Sequence, residues 1–249
     1  MIRSKSSVTA ILGGQPAVPK GMVKPWPEIR EEDRQAVLGA LNRGILWGGG
    51  APEVRALEQE WSRYVGSKHC LVTNSGTAAL HMAVVAAGVK PGDEVLAASL
   101  SWTSSATCVL HHNAIPVFVD VKVDTLCMDE DRIEEKISDR TKAIIPVHYA
   151  GLPCDMDKVM KIAERYDLKV IEDCCQAHGA MYKGKIVGTI GDIGCYSLNG
   201  SKNLSGGEGG LLVTDDDDAY REAARVWQFG ENRREDGTRE YNAYGMGWM

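Results

Sequence analysis

The stretch CLVTNSGTAALHMAVVAAG, residues 70–88, predicts a strand, a small polar turn and a helix in immediate succession. The same order recurs in EVLAASLSW followed by TSSATCVLHHN, in PVFVDV followed by RIEEKISD, and in KAIIPVHYAG followed by MDKVMKIAERY. Further strands are expected in LKVIEDCC, GCYSLNG and GGLLVT. Short Val- and Ile-rich strands that alternate with helices of about ten residues predict an α/β fold. We expect a three-layer sandwich with a mostly parallel central sheet.

Polar and aromatic residues follow several of these strands directly. They are residues 74–77, Ser101 with Trp102, His148, Asp173 and Ser197. Ligands of open α/β sheets bind beyond the carboxyl ends of the strands. The sequence therefore predicts that these side chains converge on one site.

Asp173 and Lys202 stand out among the residues that could do chemistry there. Lys202 follows the acidic strand end by 29 residues (202 − 173) and lies between a serine and a run of glycines. Pyridoxal phosphate chemistry requires a lysine amine that forms a Schiff base and a carboxylate that keeps the pyridine nitrogen protonated. Most lysines are solvated surface groups, so it is the order of Asp, Ser, Lys and glycines that suggests this chemistry.

The turn Asn74-Ser75-Gly76-Thr77-Ala78 has two interpretations. It precedes a helix N-terminus, where free backbone N–H groups and the helix dipole can bind an anion. Alternatively, Ser75 or Thr77 serves only as an N-cap. Ser197, five residues before Lys202 (202 − 197), could offer a hydroxyl to the same phosphate.

Composition excludes several classes of function. The net charge is −6, and the absence of a basic stripe makes nucleic acid an unexpected partner. No apolar run reaches the roughly 20 residues of a membrane span, and the first residues lack a secretory h-region, so we expect a cytoplasmic protein. Seven scattered cysteines indicate reduced thiols. Cys174, Cys175 and His178 lack a second cluster at zinc-site spacing, so we expect no metal site.

The motifs NSGTAAL, SWTSSA, VIEDCCQAHGA, GTIGDIGCYS and SKNLSGGEGG resemble those of the sugar aminotransferase family, the DegT/DnrJ/StrS group of fold type I pyridoxal phosphate enzymes. The resemblance extends in order from about residue 25 to residue 210. It implies pyridoxal 5′-phosphate as the cofactor. The cofactor-binding residues that it implies are Gly76, Thr77, Ala78, Trp102, Asp173, Gln176, Ser197 and Lys202.

The resemblance also implies a role for each of these residues. Lys202 would form the Schiff base and shuttle the proton, and Asp173 would pair with the pyridine nitrogen. Gln176 would lie near the ring hydroxyl, and Trp102 would stack on the ring, although spacing alone also fits a core aromatic. The phosphate would be bound by Thr77, Ala78 and Ser197.

Three further residues carry weaker expectations. His148 and His178 could contact cofactor or substrate, or they could be satisfied polar groups at strand ends. Glu208 is expected to fix the loop that follows the lysine rather than to transfer protons.

The sequence suggests three segments: an N-terminal segment 1–30, a cofactor-binding domain 31–235, and residues 236–249 as the start of a truncated C-terminal region whose small domain is missing. The ending YGMGWM resembles the start of a G-x-N-x-R family motif. Met249 occupies the position of the motif's Asn, which contacts the partner subunit's phosphate, and Asn242 lies nearby.

The leading functional hypothesis is an aminotransferase that moves an amino group from glutamate or glutamine to a nucleotide-linked keto sugar or a keto-cyclitol. Two alternatives stay open. One is a pyridoxamine-dependent dehydratase, although such relatives replace the lysine with histidine; the other is a catalytically inactive cofactor-binding subunit. Borrowed active-site residues in the family, and the Gly-rich loop around Trp47, lead us to expect a homodimer.

Overall fold

Helices and strands alternate along most of the computed structural model, which describes residues 9–233 and 239–241. The α-helices are α1 Glu31–Arg43, α2 Pro52–Val65, α3 Gly76–Ala86, α4 Ser104–Leu110, α5 Met156–Tyr166 and α6 Asp217–Trp227. The strands are β1 His69–Thr73, β2 Glu94–Ala98, β3 Ile115–Val119, β4 Thr141–Ile145, β5 Lys169–Asp173, β6 Met181–Tyr182, β7 Lys185–Ile186, β8 Ile193–Ser197, β9 Gly210–Thr214, β10 Glu231–Arg233 and β11 Arg239–Tyr241.

The chain divides into two compact units, Met1–Gly39 and Ala40–Met249. In its described part, the first unit contains the 3-10 helix Ala10–Leu12 and most of α1, neither of which buries a residue. The three segments expected from the sequence stay a prediction. Asn242 and Met249, named above for the C-terminal motif, lie outside the described residues.

A seven-stranded sheet in the second unit has the order β1-β9-β8-β5-β4-β2-β3. The pairs from β8 through β5, β4 and β2 to β3 are parallel. Only β9 breaks this direction, because it pairs antiparallel with both β1 and β8. The expectation of a mostly parallel α/β sheet is confirmed.

The two faces of the sheet have separate cores because successive side chains of a strand point to opposite sides. On β5, Ile171 packs in one cluster with Ala83 of α3 and Ala223 of α6. Its neighbour Val170 packs in another cluster with Val159 of α5. Helices therefore cover both faces, which is the three-layer arrangement expected for parallel strands.

The segment RIEEKISD departs from the prediction. We expected one helix there, but the chain forms two short 3-10 turns, Glu130–Arg132 and Glu134–Lys136. Ile133 between them is fully buried, whereas Ile137 is already extended. Eight residues are too few for a stable isolated helix, so one buried anchor and the surrounding packing decide the local conformation.

Among the described helices, none is both long and apolar enough to cross a membrane.

Candidate active site

A cavity of about 270 Å³ lies beyond the carboxyl ends of β5 and β8. Seven of the eight residues expected to bind the cofactor line it: Gly76, Thr77, Trp102, Asp173, Gln176, Ser197 and Lys202. These residues come from five separate stretches of sequence. They meet because parallel strands deliver the loops that follow them to the same edge of the sheet.

Asp173 ends β5, and its side chain is held from two directions. It is 4 % exposed. Its Oδ2 accepts a hydrogen bond from the Ser105 hydroxyl at 2.6 Å, and its Oδ1 accepts one from the backbone N–H of Cys175 at 3.1 Å. The backbone of Asp173 is fixed as well, because its N–H donates to Pro146 and its carbonyl accepts from His148. The carboxylate is therefore a rigid feature of the cavity.

The N-terminus of α3 forms one end of the cavity. Ser75 is the N-cap, and its hydroxyl accepts a hydrogen bond from the Ala78 N–H at 3.1 Å. Ser75 is thus shown to cap the helix, while anion binding by this turn stays a prediction. Ala78 lies behind the cap rather than on the cavity wall, so its contact with a phosphate stays a prediction. The helix dipole still favours an anion beside Gly76 and Thr77.

Close packing against β8 explains the glycine in this turn. A Cβ added to Gly76 would lie 2.8 Å from both Cys175 Sγ and Ser197 Cβ. These separations are shorter than van der Waals contact, so any larger residue would push the helix away from the strand. The absence of a side chain at Gly76 lets the Ser197 hydroxyl lie beside the start of the helix. A helix N-terminus with a neighbouring hydroxyl is a fitting cradle for a phosphate.

Lys202 lies on a loop that Asn199 organises. The Asn199 carbonyl accepts from the Lys202 N–H at 2.9 Å, and its side-chain oxygen accepts from the Ser201 N–H at 3.0 Å. The Asn199 amide nitrogen donates to Glu208 Oε1 at 2.8 Å. This geometry agrees with the expectation that Glu208 fixes the loop after the lysine.

Gln176 is oriented by a residue that sequence reasoning missed. Its Oε1 accepts a hydrogen bond from the Ala150 N–H at 3.0 Å. Ala150 is a non-glycine residue with a φ of 51°, so the loop after β4 adopts a left-handed turn that aims this N–H. With its oxygen engaged, Gln176 has its NH₂ group left to donate. Apart from the β4 end itself, no sequence signal pointed to Ala150.

Trp102 is 70 % exposed at the cavity. This exposure excludes the alternative that Trp102 is a core aromatic. An indole face of this kind offers a large, rigid surface on which a flat ring can stack.

His148 lies outside the cavity lining. It is fully buried, and its Nε2 donates to Glu172 Oε2 at 2.9 Å while its Nδ1 accepts from the Cys154 N–H at 3.1 Å. His148, Glu172 and Cys174 bring possible metal-ligand atoms within 4.8 Å of one another. The hydrogen bonds of His148 and Glu172 already use both imidazole nitrogens and both carboxylate oxygens, so this set is a structural network.

His178 packs among aromatic rings instead of reaching into the cavity that Asp173 lines. Its ring centroid lies 6.0 Å from that of Trp61 and 5.6 Å from that of Tyr196. Burial lowers the pKa of its imidazole, and the nearby positive charge of Lys202 acts in the same direction. His178 is therefore a neutral ring at physiological pH.

The donor set of the cavity fits pyridoxal phosphate. A buried carboxylate suits a protonated ring nitrogen, Trp102 suits a ring face, and the α3 N-terminus with Ser197 suits a phosphate. Lys202, on the same cavity wall, provides the amine that an aldehyde group needs. Gly76 places no side chain between the α3 N-terminus and Ser197.

Comparisons with known proteins agree with this geometry. The spore coat polysaccharide biosynthesis protein SpsC of Bacillus subtilis is 42% identical over 192 residues, which are 77% of this chain and 49% of that protein. The L-glutamine:2-deoxy-scyllo-inosose aminotransferase of Streptomyces lividus is 42% identical over 202 residues, 79% of this chain and 47% of that protein. The chain thus spans about half the length of these curated relatives.

A solved structure extends the agreement to the fold. The pyridoxal phosphate form of the putative sugar aminotransferase Spr1654 from Streptococcus pneumoniae superposes with a TM-score of 0.81 at 28% sequence identity. The match covers 90% of this chain and 62% of that one. The DegT/DnrJ/EryC1/StrS aminotransferase family, whose cofactor is pyridoxal phosphate, matches residues 27–248. The chain belongs to this family of aminotransferases.

Proposed function

We propose that this chain holds pyridoxal 5′-phosphate in the cavity beyond β5 and β8 and catalyses amino-group transfer. The observation that carries the proposal is that Lys202 and Asp173, 29 residues apart in sequence (202 − 173), line one cavity together with the α3 N-terminus. When bound, pyridoxal phosphate supplies a protonated ring that accepts the electron pair released from the carbon next to the nitrogen.

Each of the cavity residues has a separate role in the proposed reaction. Lys202 anchors the cofactor through its amine. Once the amine of the donor has displaced it from the cofactor, the freed Nζ would remove the proton from the α-carbon of the donor. In the reverse half-reaction it would return a proton to the former carbonyl carbon of the acceptor. Asp173 holds the proton on the ring nitrogen. Trp102 covers one face of the ring, and Ser197 with the first turn of α3 binds the phosphate.

The proposed substrates are glutamate or glutamine as the donor and a nucleotide-linked keto sugar or a keto-cyclitol as the acceptor, in antibiotic or polysaccharide biosynthesis. The activity named for the Streptomyces lividus relative and the role in polysaccharide biosynthesis named for SpsC support this choice. We also propose a homodimer, because Leu46 and Trp47 are 66% and 55% exposed on a Gly-rich loop that could reach a second copy.

Borohydride reduction of the yellow protein, followed by peptide mapping, tests the proposal. The pyridoxyl group is expected on Lys202, and Lys202→Ala should lose the yellow colour. Lys185→Ala, on exposed β7, serves as the matched control and should label normally. Label on another lysine would show that the assignment is wrong. Normal labelling without any half-reaction on adding amino donors would support the inactive-subunit alternative instead.

A further inference from the structure

A chain of two hydroxyl groups leads from the cavity to Asp173. Ser105 is 1% exposed, and its hydroxyl lies 2.6 Å from Asp173 Oδ2. The hydroxyls of Ser105 and Ser101 are 2.7 Å apart. An ionised carboxylate only accepts hydrogen bonds, so the Ser105 hydroxyl must donate its single hydrogen bond to Asp173. Ser101, which lines the cavity, is then the donor to Ser105.

The start of α4 places these groups. The Ser105 N–H donates to the Trp102 carbonyl at 3.2 Å, which closes a turn between the two residues. Trp102 is 70% exposed at the cavity, whereas Ser105 is buried beneath Asp173. One turn of chain thus presents an aromatic face to the cavity and a hydroxyl to the carboxylate that borders it.

We propose that Ser105 is a positioning residue that holds the Asp173 carboxylate in place and in its charged form, with Ser101 supporting it from the cavity side. The inference rests on the proposed function, because it assigns Asp173 to the ring nitrogen of pyridoxal phosphate. A hydrogen bond donated to a carboxylate favours its charged form. Without Ser105, the carboxylate competes more strongly for the proton that it shares with the ring nitrogen.

A purely structural role makes a different prediction. Ser105 could simply fill space under β5, and its removal would then lower stability without altering the protonation of the ring. The ring nitrogen itself is therefore the readout that separates the two roles. Binding affinity is a second readout, since an unpaired buried carboxylate oxygen weakens the site that contacts the cofactor.

The experiment uses the full chain with pyridoxal phosphate labelled with ¹⁵N in the ring, and follows the ¹⁵N chemical shift across a pH series. Asp173→Asn gives the ¹⁵N chemical shift expected when the ring nitrogen has lost its carboxylate partner. Ser105→Ala should move the signal toward that of neutral pyridine and weaken binding of the cofactor about tenfold or more. Ser105→Thr keeps the hydroxyl and should restore both values.

Two further variants complete the design. Ser101→Ala should shift the signal in the same direction by a smaller amount, and it keeps the idea testable if Ser105→Ala does not fold. Thr107→Ala removes another α4 hydroxyl, one without a hydrogen-bond partner among the described residues, and should match the wild type.

A Ser105→Ala protein with the wild-type ¹⁵N shift and an affinity within about twofold would overturn the inference, provided that Asp173→Asn does move the signal. A wild-type chain that binds no pyridoxal phosphate, or whose signal ignores Asp173→Asn, would instead overturn the proposed function on which the inference rests.

Discussion

Replacing Glu172 with glutamine should destabilise the fold strongly, although the change is nearly isosteric. Glu172 is completely buried directly before Asp173. Its Oε2 accepts from His148 Nε2 at 2.9 Å and from the Gly188 N–H at 2.8 Å, and its Oε1 accepts from the N–H groups of Ile190 and Gly191 at 2.7 Å each. Four donors therefore converge on one carboxylate and fasten the loop before β8 to β5.

The size of the expected loss of stability follows from the number of N–H groups that donate to Glu172. In Glu172→Gln, the new NH₂ group must face two of the four donors, whichever way the amide turns. His148 cannot resolve the conflict by changing tautomer, because its Nδ1 already accepts from the Cys154 N–H. Each buried donor left without an acceptor costs about 1–3 kcal/mol, so we expect a loss of about 4 kcal/mol. For a domain of this size, the midpoint of thermal unfolding should fall by roughly 8–16 °C.

Urea unfolding followed by tryptophan fluorescence measures the free energy of unfolding at pH 7. Glu164→Gln is the matched control, since Glu164 is exposed on α5, and it should change stability by less than about 0.5 kcal/mol. A Glu172→Gln protein within about 1 kcal/mol of the wild type would refute the argument from the four donors.

The pH dependence of the free energy of unfolding gives a second test of the stabilisation by the Glu172 carboxylate. Burial alone would raise the pKa of its carboxyl group, but the hydrogen bonds donated by His148 and by the N–H groups of Gly188 and Gly191 outweigh burial and lower the pKa. A carboxylate with a lowered folded pKa contributes stability above its unfolded pKa of about 4.3, and this contribution disappears as the pH falls through the folded value. The gap between wild type and Glu172→Gln should therefore be widest at neutral pH and shrink below about pH 4.

Two further predictions concern α3. Gly76→Ala places a Cβ 2.8 Å from Ser197 Cβ and Cys175 Sγ, so it should cost about 1–3 kcal/mol of stability and weaken pyridoxal phosphate binding in an equilibrium titration. Gly206→Ala, whose Cβ would meet nothing closer than 3.6 Å, is the control, and equal effects in both variants would contradict the packing argument. Burial, reinforced by two neighbouring histidines, lowers the pKa of His81 to about 4. Between pH 6.5 and pH 4, His81 therefore binds a proton in the unfolded chain but stays neutral in the folded chain. The free energy of unfolding should fall by about 3 kcal/mol over this range. His81→Leu should flatten this part of the pH–stability curve, and an unchanged curve would show that His81 is not the group responsible.

Much of the fold could be predicted from local sequence. The boundaries of α5 are those predicted, because apolar residues at helical spacing and an aspartate on either side define both ends. RIEEKISD was predicted wrongly because so short a segment takes its conformation from the packing around Ile133. The position of β9 between β1 and β8 and its antiparallel direction likewise depend on the whole sheet, because its own five residues do not encode them.

For the candidate site as well, some features could be predicted from the sequence and others depend on the tertiary structure. Sequence alone determined which groups are available for the proposed chemistry, because a lysine amine, a carboxylate, an indole and a serine hydroxyl are properties of residue types. It also determined that they meet, because the strand ends of a parallel sheet converge. Tertiary structure alone decided how these groups are held. The Ser105 hydroxyl reaches Asp173 across 68 residues, and the Ala150 N–H reaches Gln176 across 26. Such contacts depend on hydrogen-bond distances within tenths of an ångström, which only the packing of all the layers together fixes and which no local pattern encodes.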